Sequence, residues 1–331
     1  MEGILGLKLR MYLVILLVFA IGFGIIYAFM LYAGFGIVFI IGIAALFFIA
    51  QWLISPKLIA WASKLRYLKD DEYPDLQRMV TELAKGANVP RPRVAISEST
   101  EPNAFVFGRT RKSSTLVVHK GLLTVLNRTG EIRAVLAHEI GHLKHNDSMI
   151  ITFVSFIPML AYMVAESMLF SSIFGGLGGR KNNSAYLIAL GAGAFVVYLF
   201  SQLLVMMLSR SRESYADIYS ANTTKQPECL ASALVKITNN DMTNPVSAKQ
   251  QAGTSTSVRA LYFLDSYSVG KDVRELKSHA KEIKRLLPDL DIDLLIKRAE
   301  RDSKSIHSIF SLFSTHPSLY KRLITLSEIE V

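Results

Sequence analysis

Long apolar runs occupy two parts of this chain, and shorter periodic patterns fill the rest. Met11 to Pro56 contains no charged residue. A bilayer-crossing helix needs about 20 apolar residues. The run therefore holds two, Met11–Leu31 and Gly34–Ser55, joined by the short turn Leu31–Ala33. A cleaved signal peptide would carry one such segment rather than two, so a membrane hairpin is the preferred reading. Two further candidates follow. Met149–Phe170 is charged only at Glu166, and Tyr186–Leu208 is interrupted only by Gln202. Ser171–Ala185 between them is rich in Gly and Asn and carries Arg180 and Lys181. This reads as a second hairpin; a pair of buried core helices is the alternative.

Elsewhere the pattern is that of a folded domain. Lys57–Gly86 is predicted helical, with Leu76, Met79, Val80 and Leu83 on one face and Gly86 closing it. Pro90-Arg91-Pro92 breaks the chain. Val94–Ser97, Ala104–Gly108 and Thr115–His119 are strand candidates, the last two separated by the basic turn Arg109–Ser113. A short helix is expected over Leu122–Leu126, then a loop at Asn127–Gly130. From Glu131 a helix places Ile132, Val135, Leu136, Ile140 and Leu143 in a buried stripe. Ser209–Ala221 continues the fourth apolar segment as helix, and Pro227–Thr238 forms another. Polar Asn239–Ser257 reads as a mobile loop. Lys271–Leu287 has Val273, Leu276, Ala280, Ile283 and Leu287 at helical spacing and reads as a solvated amphipathic helix. The expected fold is a mainly α membrane protein: four transmembrane helices plus a domain with a small β-sheet.

Charge changes the picture by giving the hairpins a direction. Of the 331 residues, 51% are hydrophobic and 19% charged, and the formal net charge is +10. Soluble domains carry about 25% charged residues. Lys8 and Arg10 precede the first apolar segment, and Lys57, Lys64, Arg66 and Lys69 follow the second. Lys144 precedes the third, and Arg210 and Arg212 follow the fourth. The positive-inside rule then places both termini on the cytoplasmic side of the cell membrane, with Arg180 and Lys181 opposing a larger excess. Basic residues are not interleaved with aromatic ones, so nucleic acid is not an expected partner. Cys229 is the only cysteine. Neither an intrachain disulfide nor a cysteine-based zinc site can form, which suits a cytoplasmic domain.

The chemistry begins at His138-Glu139-Ile140-Gly141-His142. On a helix, residues four apart share a face, so both imidazoles can reach one metal. Glu139 then lies beside that metal as a base for a bound water. Gly141 is costly in a helix, about 1 kcal/mol against Ala, and suggests that another backbone packs closely there. Catalytic zinc takes three protein ligands and leaves one position open. His145 is a candidate third ligand, though it sits about 60° from the axis of the pair. Glu213 is the better candidate. Glu213 and Asp217 are four apart, so Glu213 could bind zinc while Asp217 accepts the free N–H of a ligand histidine. The competing reading makes them an exposed helix pairing with Arg210 or Arg212.

These residues, with three other segments, resemble the HtpX family of integral membrane zinc metallopeptidases, relatives of the CAAX prenyl proteases. The segments are Pro102-Asn103-Ala104-Phe105-Val106-x-Gly108, Ser209-Arg210-x-x-Glu213-x-x-Ala216-Asp217, and Ser314-Thr315-His316-Pro317 with Arg322. They stand in the family's order and span most of the chain from 11 to 322, leaving 239–304 without a clear counterpart. The resemblance implies a zincin-like cytoplasmic catalytic domain split by the second hairpin. Its parts would be hairpin 11–55, first catalytic part 57–148, hairpin 149–208 and second catalytic part 209–331. It implies His138, His142 and Glu213 as ligands of one Zn2+ per chain, Glu139 as general base, and Asp217 as the residue behind a ligand histidine. Asn103, Ala104 and Phe105 would lie on an edge strand that takes extended protein substrates by main-chain hydrogen bonds. His316 would stabilise the oxyanion. The implied function is endopeptidase cleavage of membrane or membrane-associated proteins in quality control. Two rivals remain: a non-catalytic scaffold stapled by zinc, and a CAAX-type protease acting on prenylated C-termini. Glu166, within an apolar segment, is either functional or snorkelling to an interface.

Overall fold

The structure, a computed structural model, describes residues 37–174, 184–243, 277–294, 296–297 and 317–329. The first apolar segment, the tip with Arg180 and Lys181, the polar loop beyond Thr243 and His316 lie outside them. The described chain is mostly helical with one small mixed sheet. It divides into two compact units. One comprises 37–55 and Ile150–Leu208, the other Pro56–Met149 and the chain from Ser209 onward.

The first unit is built from apolar helix. Helix α1 spans Ile37–Ala62 and runs through Pro56 rather than stopping at Ser55. Val154 and Ile157 pack against Leu204, Val205 and Leu208. Phe48 meets Phe153 at a tilt and Phe156 edge-on, with ring centroids 4.5 and 5.3 Å apart. Ile188, Phe195, Val196 and Phe200 point outward and are exposed. Among the described residues two helical stretches, Asp147–Glu166 and Ala185–Thr224, are long and apolar enough to cross a membrane. In each, 28% of the apolar window is buried among the described residues, which is the composition and exposure expected of a membrane-facing helix.

The second unit carries the sheet. Strands β1 (Arg66–Tyr67), β2 (Arg93–Ser97), β3 (Ala104–Phe107) and β4 (Thr115–His119) lie in the order β1-β2-β4-β3. β2 and β4 are parallel, with Val94 opposite Leu116. The outer strands are antiparallel, Arg66 opposite Ile96 and Ala104 opposite Val118. Alternation sorts the side chains by face. Val94, Ile96, Ala104, Val106, Leu116 and Val118 enter the main core. Ala95, Phe105, Phe107 and Val117 enter a smaller cluster closed by Ile59, Ala60 and Leu65.

Helix α2 (Pro74–Ala87) starts on a proline at its first turn and buries Leu76, Met79, Val80 and Leu83 as the periodicity predicts. Its ends differ from expectation. The helix predicted over all of Lys57–Gly86 is broken by β1, between Lys64 and Tyr73, both left-handed (φ 46° and 49°). Gly86 lies inside the helix. Asn88 is the terminal residue, with φ 55° and its N–H directed to the carbonyls of Ala84 and Lys85. Asn tolerates that conformation almost as Gly does. Helix α3 (Lys120–Val125) begins at β4's end, where a Cβ on Gly121 would stand 2.0 Å from the Thr100 carbonyl oxygen.

Helix α4 (Thr129–Lys144) is the centre of the unit. Val135, Leu136 and Ile140 are fully buried, each stabilising by roughly 1.5–3 kcal/mol. It packs on α2, on β3 and on α7 (Pro227–Thr243). Helices α5 (Asp147–Phe174) and α6 (Ser184–Thr224) follow, the latter running unbroken from apolar segment to polar. The described part of the predicted Lys271–Leu287 helix is α8 (Ala280–Leu286), whose Ile283 is fully buried. Helix α9 (Leu319–Ser327) is capped by Ser318, whose hydroxyl accepts from the Lys321 N–H.

Candidate active site

The helical spacing of His138 and His142 brings their rings together as the sequence requires. Their Nε2 atoms are 3.1 Å apart. Glu213, on α6, completes a triangle: its Oε2 lies 3.5 Å from His138 Nε2 and its Oε1 3.3 Å from His142 Nε2. All three side chains are buried or nearly so. A tetrahedral ion with bonds of about 2.0–2.1 Å holds its donors about 3.3 Å apart. The observed spacings fit that requirement.

The opposite ring atoms explain why both Nε2 atoms face inward. His138 Nδ1 lies 2.9 Å from Asp217 Oδ1, and His142 Nδ1 lies 2.6 Å from Asp147 Oδ2. A carboxylate accepts from Nδ1–H, which leaves the lone pair on Nε2. Two such lone pairs facing at 3.1 Å call for a cation between them. The electrostatics agree. Burial opposes a charge on either ring, but Asp217 and Glu213 outweigh it at His138, and Glu213 does at His142. Both imidazoles therefore hold positive charge more readily than usual.

Glu139 is the next residue on α4 and is 3% exposed. Burial raises its carboxyl above the usual range, against the pull of His142 and His138. Its carboxylate accepts from the Val106 N–H of β3. That contact is dictated by register. The Asn103 carbonyl accepts from the His119 N–H at 2.9 Å, so alternation turns residues 105 and 107 toward β4 and residues 104 and 106 toward the free edge. β3 is the edge strand beside α4. Of the residues expected there, Ala104 directs its main chain outward. Asn103 is 1% exposed. Phe105 points its ring into the small cluster, edge-on to His119 at 5.9 Å.

Gly141 does have a close neighbour, but it is a tyrosine ring rather than the backbone its position suggested. A Cβ there would stand 2.9 Å from Tyr219 Cδ1 and 3.5 Å from Ala216 Cα, both on α6. The absence of a side chain lets the helix with Glu213 approach the helix with the histidines. His145 takes no part in the cluster; its ring stands edge-on to Tyr215 at 4.1 Å. Asp217 is not on an exposed face. It is fully buried and gripped by Arg322, whose Nε and Nη2 donate to Oδ2 at 2.8 Å and to Oδ1 at 2.6 Å. Arg212 pairs with Asp147 instead, Nη2 to Oδ1 at 2.8 Å. The sequence reading missed Asp147, and it gave Arg322 a place in a motif but no role.

The sequence pattern of peptidase family M48 matches residues 70–330. The chain belongs to that family. This M48 peptidase is 40% identical over 240 residues to a "Protease HtpX homolog" of Methanothermobacter thermautotrophicus, covering 70% of this chain and 85% of the relative. It is 32% identical over 330 residues to "Protease HtpX homolog 2" of Methanosarcina mazei, covering 99% and 97%. The crystal structure of S. mikatae Ste24p is similar at a TM-score of 0.49 and 21% identity, over 94% of this chain and 63% of that longer one. The HtpX resemblance read from the four motifs therefore holds. The protein is a membrane-bound metallopeptidase, and the M48 match covers both segments that meet at His138, His142 and Glu213.

Proposed function

We propose that His138, His142 and Glu213 bind one zinc ion and that Glu139 is the general base of peptide hydrolysis. The observation that carries this reading is the donor triangle, with spacings of 3.1, 3.3 and 3.5 Å and both Nδ1 atoms facing carboxylates. Bound zinc would supply a Lewis acid and acidify a water toward a pKa of about 7.

The chain's own residues do the rest. Glu139, made a better proton acceptor by burial, takes the proton of the attacking water and returns it to the leaving amine. Its contact with the Val106 N–H holds the carboxylate against β3. An extended substrate adds to the β3 edge through the main-chain groups of Ala104 and the carbonyl of Val106, whose N–H is held by Glu139, as the next strand in the order β1-β2-β4-β3. Asn103 positions the start of that edge through its carbonyl. Asp217 holds His138, and His316, outside the described residues, supplies the oxyanion donor. Substrates are membrane or membrane-associated proteins, which the apolar helices bring within reach. The catalytic residues and both termini face the cytoplasm, as Lys57, Lys64, Lys69, Lys144 and Arg210 at the ends of the apolar segments support.

Metal analysis of purified variants tests the ligand set. Wild type and Glu139→Gln are expected to hold one zinc per chain, while Glu213→Ala and His142→Ala lose it. Full zinc retention by Glu213→Ala would overturn the assignment.

A further inference from the structure

Both histidines of the donor triangle rest on a carboxylate that itself rests on an arginine. For His138 the chain is Asp217 and Arg322, the latter bidentate. For His142 it is Asp147 and Arg212. We infer that Asp147 and Arg212 are a positioning pair that fixes the tautomer and orientation of His142 for metal binding. The inference rests on the metal reading of His138, His142 and Glu213.

The geometry follows from the turn between α4 and α5. Asn146 adopts φ 58°, a left-handed conformation that Asn tolerates. The chain turns there, and the side chain of Asp147, the first residue of α5, meets the ring five residues before it. Its Oδ2 meets His142 Nδ1 at 2.6 Å and its Oδ1 meets Arg212 Nη2 at 2.8 Å. Asp147 and Arg212 are 5% and 3% exposed. A position at the start of α5 would by itself explain an acid, since helix N-termini favour anions. It does not explain a buried arginine from a different helix, or the contact with the imidazole.

Arg212 is an expensive residue to bury. Nε and Nη1 are inaccessible and have no hydrogen-bond acceptor among the described residues. Its ion pair with Asp147 is single, where Arg322 grips Asp217 with two nitrogens. Buried donors without acceptors weaken a fold. Such a group is retained where it serves a site, and here the site is one residue away. Arg212 precedes Glu213, so one turn of α6 delivers a ligand to the triangle and a cation to the carboxylate behind His142. A fixed negative Asp147 makes His142 Nε2 a stronger and better-aimed donor.

Zinc affinity, measured by chelator competition on purified protein in detergent, tests the pair together with the visible spectrum of the cobalt-substituted protein. Asp147→Asn and Arg212→Met are each expected to weaken zinc about 10- to 100-fold and to alter the cobalt spectrum. The double variant is expected to be no weaker than the worse single one, because the two residues act in series. It also removes both charges together, and so serves if Arg212→Met alone does not fold. Arg212→Lys, which keeps a cation beside Asp147, is expected to recover part of the affinity. Wild-type affinity and spectrum in both single variants would overturn this inference alone. Additive losses in the double variant would do the same. Wild type that binds no zinc would overturn the metal reading and this inference with it.

Discussion

His119 shows how burial sets the chemistry of a single residue. It closes β4 at 4% exposure, with Nδ1 3.1 Å from the Glu101 carbonyl. Burial lowers its pKa from 6.5 to about 4. Between those values the unfolded chain binds a proton that the folded one refuses, so stability rises with pH through that window. The contribution is present above pH 6.5 and is lost as pH falls toward 4, amounting to about 3 kcal/mol at 1.36 kcal/mol per pH unit. His119→Gln is expected to flatten the acid limb of a denaturant-midpoint profile between those values. An unchanged acid limb would show that another group carries it. At this scale much of the site was legible. His138, Glu139 and His142 follow from helical spacing. Glu213 and Asp217 are candidates by a second four-residue spacing, which leaves a surface pairing with Arg210 or Arg212 equally open until the family resemblance favours them. Asp147 does not follow, because no helical spacing links it to His142; the left-handed Asn146 does. Arg322 was legible only as part of a motif, since its contact with Asp217 spans 105 positions.

Helices were easier to read than their ends. The stripe of α4 and the apolar face of α2 lie where periodicity put them. Strand β1 was missed because a two-residue strand has no pattern of its own and exists only by pairing with β2. The end of α2 was misplaced because Gly86 is the stronger terminator by composition, while Asn88 is the one that turns. Two glycine substitutions separate these roles. Gly86 has open space at its Cβ position, so Gly86→Ala is expected to stabilise by about 1 kcal/mol through helix propensity. Gly121 faces the Thr100 carbonyl at 2.0 Å, so Gly121→Ala is expected to destabilise by roughly 1–3 kcal/mol or more. Thermal unfolding of the two variants reads both. Loss of stability in Gly86→Ala would return the helix end to Gly86.

For the molecule as a whole, the sequence showed where apolar segments lie more clearly than how many cross a bilayer. Hydropathy alone marks four, and two long apolar helices are present among the described residues. The proposed orientation has an internal reporter, because Cys229 is the only cysteine. It lies on α7 in the unit with the donor triangle and is partly exposed. Burial raises its thiol, so labelling should be run at alkaline pH. A membrane-impermeant maleimide is expected to label Cys229 in inverted vesicles and not in intact cells; the reverse pattern would invert the topology.

The central claim is that Glu139 performs proton transfer beside a metal it does not bind. The most direct measurement is kcat/KM of wild type and Glu139→Gln on one protein substrate, at matched zinc content. The expected result is a loss of about 10²-fold to 10⁴-fold with zinc unchanged. Wild-type turnover by zinc-loaded Glu139→Gln would contradict the account.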